Sequence, residues 1–358
     1  MVIFDRMLIA DYKFIDTGEN GLMRSPVLSS NSSKANRILW IDVAKGITII
    51  LTIIGHTLDY GTLVRNIIFS FHMPLFFILS GYTFKTSDHW DNCLFRFKKD
   101  IIRLLCPVLF VSAISFLLQY IVSLDHSNDR FIQLFYQMSF SLFWASGISV
   151  HEAPPLGMLW FLISLFTART LFNILNLLFP KDKFRVSSVL AGLLGIYLGM
   201  KHIYLPFNID VSLVATLFLA IGYLLRNSLT ITENVSLKVL ITTFWISCLY
   251  SGMYIELATR SYPGLLICIV EALAGTCIII WISKLMVSTS IASNILASLG
   301  RITMTILCVH HLDAFLINIW GGAESIFVKC AYRLIIVLIV SIFIEFIKLS
   351  LKRKSVLK

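Results

Sequence analysis

The stretch FSFHMPLFFILSGY, residues 69–82, decides how the chain is read. A histidine, a proline and a glycine stand in an otherwise almost wholly apolar run, and polar or helix-bending residues inside a membrane span are costly. Thirteen residues before Phe69, GHT places His56 near the end of the first hydrophobic segment. The two runs predict a pair of antiparallel membrane helices joined by a sharp hairpin, with a buried polar site between them. Pro74 is expected to kink its helix and Gly81 to let another helix approach closely.

Composition agrees with a membrane setting. Hydrophobic residues make up 57% of the 358, charged residues 14%, and mean hydropathy is +0.83, whereas soluble domains carry about 25% charge. The net charge of +10 comes from short basic groups between apolar runs. That is the pattern of a positive-inside membrane protein and excludes a nucleic-acid-binding stripe. The seven cysteines fall within or beside apolar spans with no C-x-x-C pair, so neither a disulfide framework nor a metal site is expected.

Apolar segments suited to crossing a bilayer, each near the required ~20 residues, lie at 38–58, 62–83, 101–123, 156–178, 187–204, 208–225, 238–255, 263–285, 302–319 and 330–349. The expected fold is therefore all-α, with about ten transmembrane helices and both termini cytoplasmic. Residues 1–36 read as a disordered cytoplasmic tail, 37–349 as the transmembrane domain and 350–358 as a basic cytoplasmic tail. Segment 131–150 is apolar but aromatic-rich and broken by polar residues. If it spanned, the later loops would change sides; counted without it, twelve basic residues from 180 onward fall inside and four outside. It is accordingly expected to be re-entrant or interfacial within an external loop.

The first span, RILWIDVAKGITIILTIIGHT, carries a polar stripe. Lys45 and His56 are eleven residues apart, and eleven steps of about 100° return to within roughly 20° of the starting direction. Asp42 and Thr52 fall on the same line, while the other faces are Ile, Leu, Val and Ala. Such a stripe reads as the lining of a cavity, although Asp42 and Lys45 at i,i+3 equally suit an interfacial ion pair. His72, on the returning helix, allows two histidines to face one volume.

In order and spacing, 37–57, 69–84, FRFKKDIIRLLCP (95–107), LWFLISLF (159–166), 208–225 and SLGRITMTILCVHH (298–311) resemble the acyltransferase 3 family of integral membrane acyltransferases. The nearest likeness is to its fucose 4-O-acetylase-like branch. The most specific mark is a basic residue followed eleven positions later by histidine, matched by Lys45 and His56. The resemblance implies an acyl-CoA co-substrate, most often acetyl-CoA, and a sugar hydroxyl on a surface polysaccharide or its lipid-linked precursor as acceptor. It implies His56 as catalytic residue, which an imidazole with an ordinary pKa near 6.5 suits, with His72 beside it. Lys45 and Asp42 are then candidates for holding the donor. Arg96, Lys98, Lys99 and Arg103 are candidates for its phosphates, or else simple inner-face anchors. Trp160, Thr52 and His310 are candidates for the substrate cavity.

Two features depart from the family pattern. The close Arg-x-x-Arg pair is replaced by Lys99 and Arg103 at i,i+4, and no soluble SGNH-type domain follows the last span, so transfer is expected to finish within the membrane domain. No permanently bound cofactor or metal is expected, since no glycine-rich phosphate loop, zinc-ligand set or G-x-S-x-G elbow occurs. The rival class is a transporter or flippase for a glycan or small anionic substrate, because membrane histidines and acids also line substrate paths.

Overall fold

The computed structural model describes residues 37–123, 125–179, 181–226, 234–287, 290–313 and 325–356; the expected N-terminal tail, 1–36, lies outside them. Among the described residues the chain is all-helical, with only two isolated bridges, Val150 with Ala153 and Glu256 with Ser261. The helices are α1 Leu39–Gly55, α2 Leu63–Tyr82, α3 Trp90–Val122, α4 Asn128–Trp144, α5 Trp160–Leu178 and α6 Lys181–Met200. They continue with α7 Ile209–Leu225, α8 Val235–Tyr250, α9 Leu266–Met286, α10 Ser290–Arg301, α11 Thr303–Asp313 and α12 Ile326–Val356.

Each expected span overlaps a described helix, with 314–319 of the span expected at 302–319 lying outside the described residues, but not every helix has the length of a full span. Among the described residues seven helices are long and apolar enough to cross a membrane, or eight if the bent pair α10–α11 counts as one. Helix α1, at 17 residues, and α8, at 16, are shorter. Segment 131–150 forms α4 and the turn after it, and α4 packs against α3 with Phe131 and Phe135 around Phe116. The last helix runs on past residue 349 through Val356.

The hydrophobic order of a soluble protein is turned outward. On α12, Phe327, Ile335, Ile339, Phe343 and Phe346 are all exposed, which a hydrocarbon surround makes favourable. Because lipid offers no hydrophobic drive for helices to associate, close backbone packing has to hold them together. Two reciprocal glycine contacts supply it. A Cβ on Gly46 would run into the backbone of Leu296, and one on Gly300 into that of Asp42, seating α10 on α1. Gly81 meets the Leu219 backbone and Gly222 that of Ile78, seating α7 on α2. Helix α2 runs continuously through Pro74.

Two breaks in helical regularity face the same interior space. In α3, residues Ile101–Leu105 form a π turn. Pro107 follows two residues later, and its ring would clash with the carbonyl four residues back, that of Arg103, in an ordinary α-helix. Between α10 and α11 the axis bends by 70°. Irregular backbone at membrane depth is tolerated where it lines a cavity, and Gly300, Ile302 and Thr305 at this bend do so.

Candidate active site

Helix α1 runs through the whole site. Asp42, Lys45 and Thr52 line a cavity of about 720 Å³, and Thr52 and His56 line a second, small chamber of about 30 Å³. Thr52, Met73 and Leu307 belong to both walls, so the two spaces meet there. The Thr52 hydroxyl donates to the Thr48 carbonyl at 2.8 Å, and Thr48 donates to Ala44 at 2.8 Å. Both side-chain protons are thereby used within the helix, and of the two residues Thr52 lines the junction.

The large cavity is cationic. Arg37, Lys45, Arg103, Arg169, Arg226, Arg301 and Lys348 line it against Asp42, Asp100 and Glu345, an excess of four positive charges. Arg169, on α5, is held in place: its Nε and Nη2 donate to the two Asp100 oxygens at 2.7 and 3.3 Å, and Nη1 donates to Ser80 Oγ at 3.0 Å. Lys348 donates to Glu345 at 2.8 Å and to Thr305 at 3.1 Å, and Thr305 also donates to Glu345. The N-terminal end of α11 opens on the same space through Thr303, which adds backbone donors favourable to an anion.

Of the basic cluster expected on α3, the cavity takes Arg103 alone; Arg96, Lys98 and Lys99 do not line it, and Lys98 and Lys99 are exposed. The other cations come from five separate parts of the chain. Sequence reading missed Arg169 as a cavity residue because a lone arginine in an apolar run has no local partner. Arg226, Arg301 and Lys348 looked like ordinary inner-face anchors.

His56 and His72 line the chamber, and His310 on α11 packs beside His56 without lining it. The His56 ring lies 6.4 Å from that of His72 and 5.5 Å from that of His310, centroid to centroid, with Phe69 at 5.1 Å. His72 is buried and its Nδ1 pairs with the Ile68 carbonyl one turn back at 3.0 Å. His310 is fully buried, and its Nδ1 pairs with Asp313 Oδ2 at 3.0 Å while Nε2 meets no partner. Asp313 in turn accepts from both Arg333 Nε, at 2.8 Å, and Nη2, at 2.6 Å. Arg333 Nη1 donates to the His56 carbonyl at 3.0 Å, tying α12 to the end of α1. Asp313, Arg333 and Glu256 were missed from sequence, although H-H-L-D already put a carboxylate three residues after His310.

A loop closes the chamber on the side away from the cavity. Trp160 and Met158 form one wall, and Glu256, Leu257 and Ala258 the other. Arg65 donates to Glu256 at 3.3 Å and is stacked between Tyr60, at 3.6 Å, and Phe69, at 3.8 Å. A second buried cluster pins the loop: Arg260 donates to Asp210 at 2.9 Å, to Ser146 at 2.7 Å and to Asn208 at 2.6 Å.

A basic cavity joined along one helix to a histidine chamber is the setting in which the comparison with known families can be read. The acyltransferase 3 family model, described as an acyltransferase domain, matches residues 38–349. The chain belongs to that family. No curated protein and no solved structure matches it. This acyltransferase 3 protein is thus a multi-pass membrane enzyme that transfers acyl groups, and the match extends from the start of α1 into α12, covering the cavity and the chamber alike.

Proposed function

We propose that this acyltransferase 3 protein is an O-acyltransferase that takes an acyl group, most often acetyl, from acyl-CoA. The acceptor is a hydroxyl of a surface polysaccharide or its lipid-linked precursor, as in the fucose 4-O-acetylase-like branch. The observation that carries the reading is the junction at Thr52, Met73 and Leu307, where a roomy cationic cavity meets a tight histidine chamber. A cavity of about 720 Å³ is within the usual range for small-molecule sites, about 300–1,000 Å³. Its positive excess suits a donor carrying several phosphates.

Most of the unpaired basic residues sit at the Lys45 end, and by the positive-inside tendency that end faces the cytoplasm of the cell membrane. Acyl-CoA enters there, with Arg103, Arg301 and Arg37 available to its phosphates and Lys45 and Asp42 beside the chain that leads to the thioester. The acyl carbonyl reaches the junction, and the acceptor hydroxyl meets it among His56, His72 and His310. An alcohol is a weak nucleophile, and proton removal by a positioned imidazole typically accelerates its attack about 10²–10⁴-fold. The chamber, about 30 Å³, has room for a water and none for a sugar ring. Entry of the acceptor therefore requires the loop around Glu256 to move, with Arg65 releasing it.

The test is mass spectrometry of surface glycans from cells lacking the gene, complemented with wild type or with His56→Ala. The expected result is loss of one acyl mass, restored by wild type and not by His56→Ala inserted at equal level. An active alanine variant would remove His56 from the chemistry, and unchanged glycans in the deletion would overturn the acceptor class. Release of free CoA on adding acceptor separates transfer from transport, since transport cleaves no thioester.

A further inference from the structure

We infer that His310, held by Asp313, is the base that takes the proton of the acceptor hydroxyl, and that Asp313 is its positioning residue. The inference rests on the acyl-transfer reading above and deepens it by distinguishing among the three histidines. His72 spends Nδ1 on the backbone of its own helix, and no described carboxylate hydrogen-bonds to it. The His56 imidazole makes no hydrogen bond to a described residue, so no described residue fixes its tautomer. His310 alone has both elements of a prepared base. A carboxylate oxygen 3.0 Å from Nδ1 holds the proton there, which leaves the lone pair on Nε2. That Nε2 is fully buried with no partner, an expensive state for a polar atom unless a ligand completes it. The ring lies 5.5 Å from that of His56, centroid to centroid, and His56 lines the chamber, so His310 sits directly behind the chamber wall.

Asp313 is itself fixed by the two-pronged Arg333 contact. The remaining charged or titratable groups around the chamber are His56, His72, Arg65 and Glu256, with His311 beside His310 on its own helix. Among the described residues only Asp313 is a carboxylate bonded to one of these histidines, since Glu256 is engaged by Arg65. In the proposed step the hydroxyl proton passes to His310 Nε2 while its oxygen forms the new C–O bond to the thioester carbonyl carbon. The C–S bond then breaks, and the CoA thiolate takes the proton back from Nε2, leaving ester and free thiol. His56 is left to hydrogen-bond the reacting oxygens from the opposite side.

The experiment uses the purified full chain in lipid nanodiscs with radiolabelled acetyl-CoA and a panel of hexoside acceptors, alongside hydroxylamine, a nucleophile that needs no such base. His310→Gln, which keeps a polar side chain, should lower transfer to a hexoside at least 100-fold. It should bind acetyl-CoA like wild type and still acylate hydroxylamine above the enzyme-free rate. Asp313→Asn should show the same split, and is the second variant because it also disturbs Arg333. Hexoside transfer within tenfold of wild type in His310→Gln would overturn the inference. Equal loss toward both nucleophiles, with acetyl-CoA binding intact, would also overturn it in favour of a structural role. A wild type that cleaves no thioester with any acceptor would instead overturn the acyl-transfer reading itself.

Discussion

The two spaces along α1 are built on opposite principles. The cavity at the Lys45 end is wide, about 720 Å³, and its charge is supplied by residues scattered from Arg37 to Lys348. The chamber at the His56 end is about 30 Å³; Glu256 in its wall is paired with Arg65, and Asp313 behind it with Arg333. A site that has only to attract a polyanion gains from many cations in a high-dielectric mouth, where no single one is decisive. Proton transfer instead depends on angles and on a tautomer, and so requires groups fixed by packing. Under the proposed function, the difference between the two regions is one between binding by field and reacting by geometry.

The most severe way to break the comparison is to separate the two spaces. Met73→Trp, at the shared wall, should lower acyl transfer at least 100-fold while leaving acyl-CoA binding within about threefold of wild type, because misplacement by about 1 Å alone costs about 10²-fold. Radiolabelled acetyl-CoA binding beside a CoA-release assay measures both, and a parallel fall in the two would mean that cavity and chamber are not functionally separate. A smaller effect is expected from the cavity cations taken singly. Arg103→Ala or Arg301→Ala should raise the acyl-CoA KM about tenfold with little change in kcat, as loss of one charge-assisted contact of about 1.5 kcal/mol predicts. A fall in kcat instead would place these residues in the chemistry.

Gly300→Ala tests the seat of α10 on α1, the wall common to the cavity. It should cost about 1–3 kcal/mol, seen as a lower thermal midpoint in detergent, because the added methyl meets backbone that cannot move aside. An unchanged midpoint would show that the two helices part readily. The smallest effect is expected from Lys98→Ala with Lys99→Ala, which should leave the KM for acyl-CoA within about twofold of wild type, since neither side chain lines the cavity. A tenfold rise would mean that the donor extends out of the cavity along α3.

Legibility from sequence differed between the same two regions. The stripe Asp42, Lys45, Thr52, His56 lies on one helix, and helical periodicity alone puts those residues on one line. The apolar runs likewise gave away their helices, since a bilayer demands that length and composition. The basic cluster of α3 was read as a unit, yet the π turn before Pro107 and the packing of α3 bring Arg103 to the cavity and leave Lys98 and Lys99 outside. Nothing in a linear pattern of lysines and arginines says which of them will face inward.

What the sequence by itself determined was a many-helix membrane acyltransferase 3 protein with a histidine at the end of its first helix, because periodicity, hydropathy and family spacing are local properties. Only the tertiary structure decided that His310 meets His56 across more than 250 residues, and that Arg333 clamps Asp313 behind it. Those contacts depend on how α11 and α12 pack against the end of α1, and packing between distant helices leaves no period in the chain that forms it.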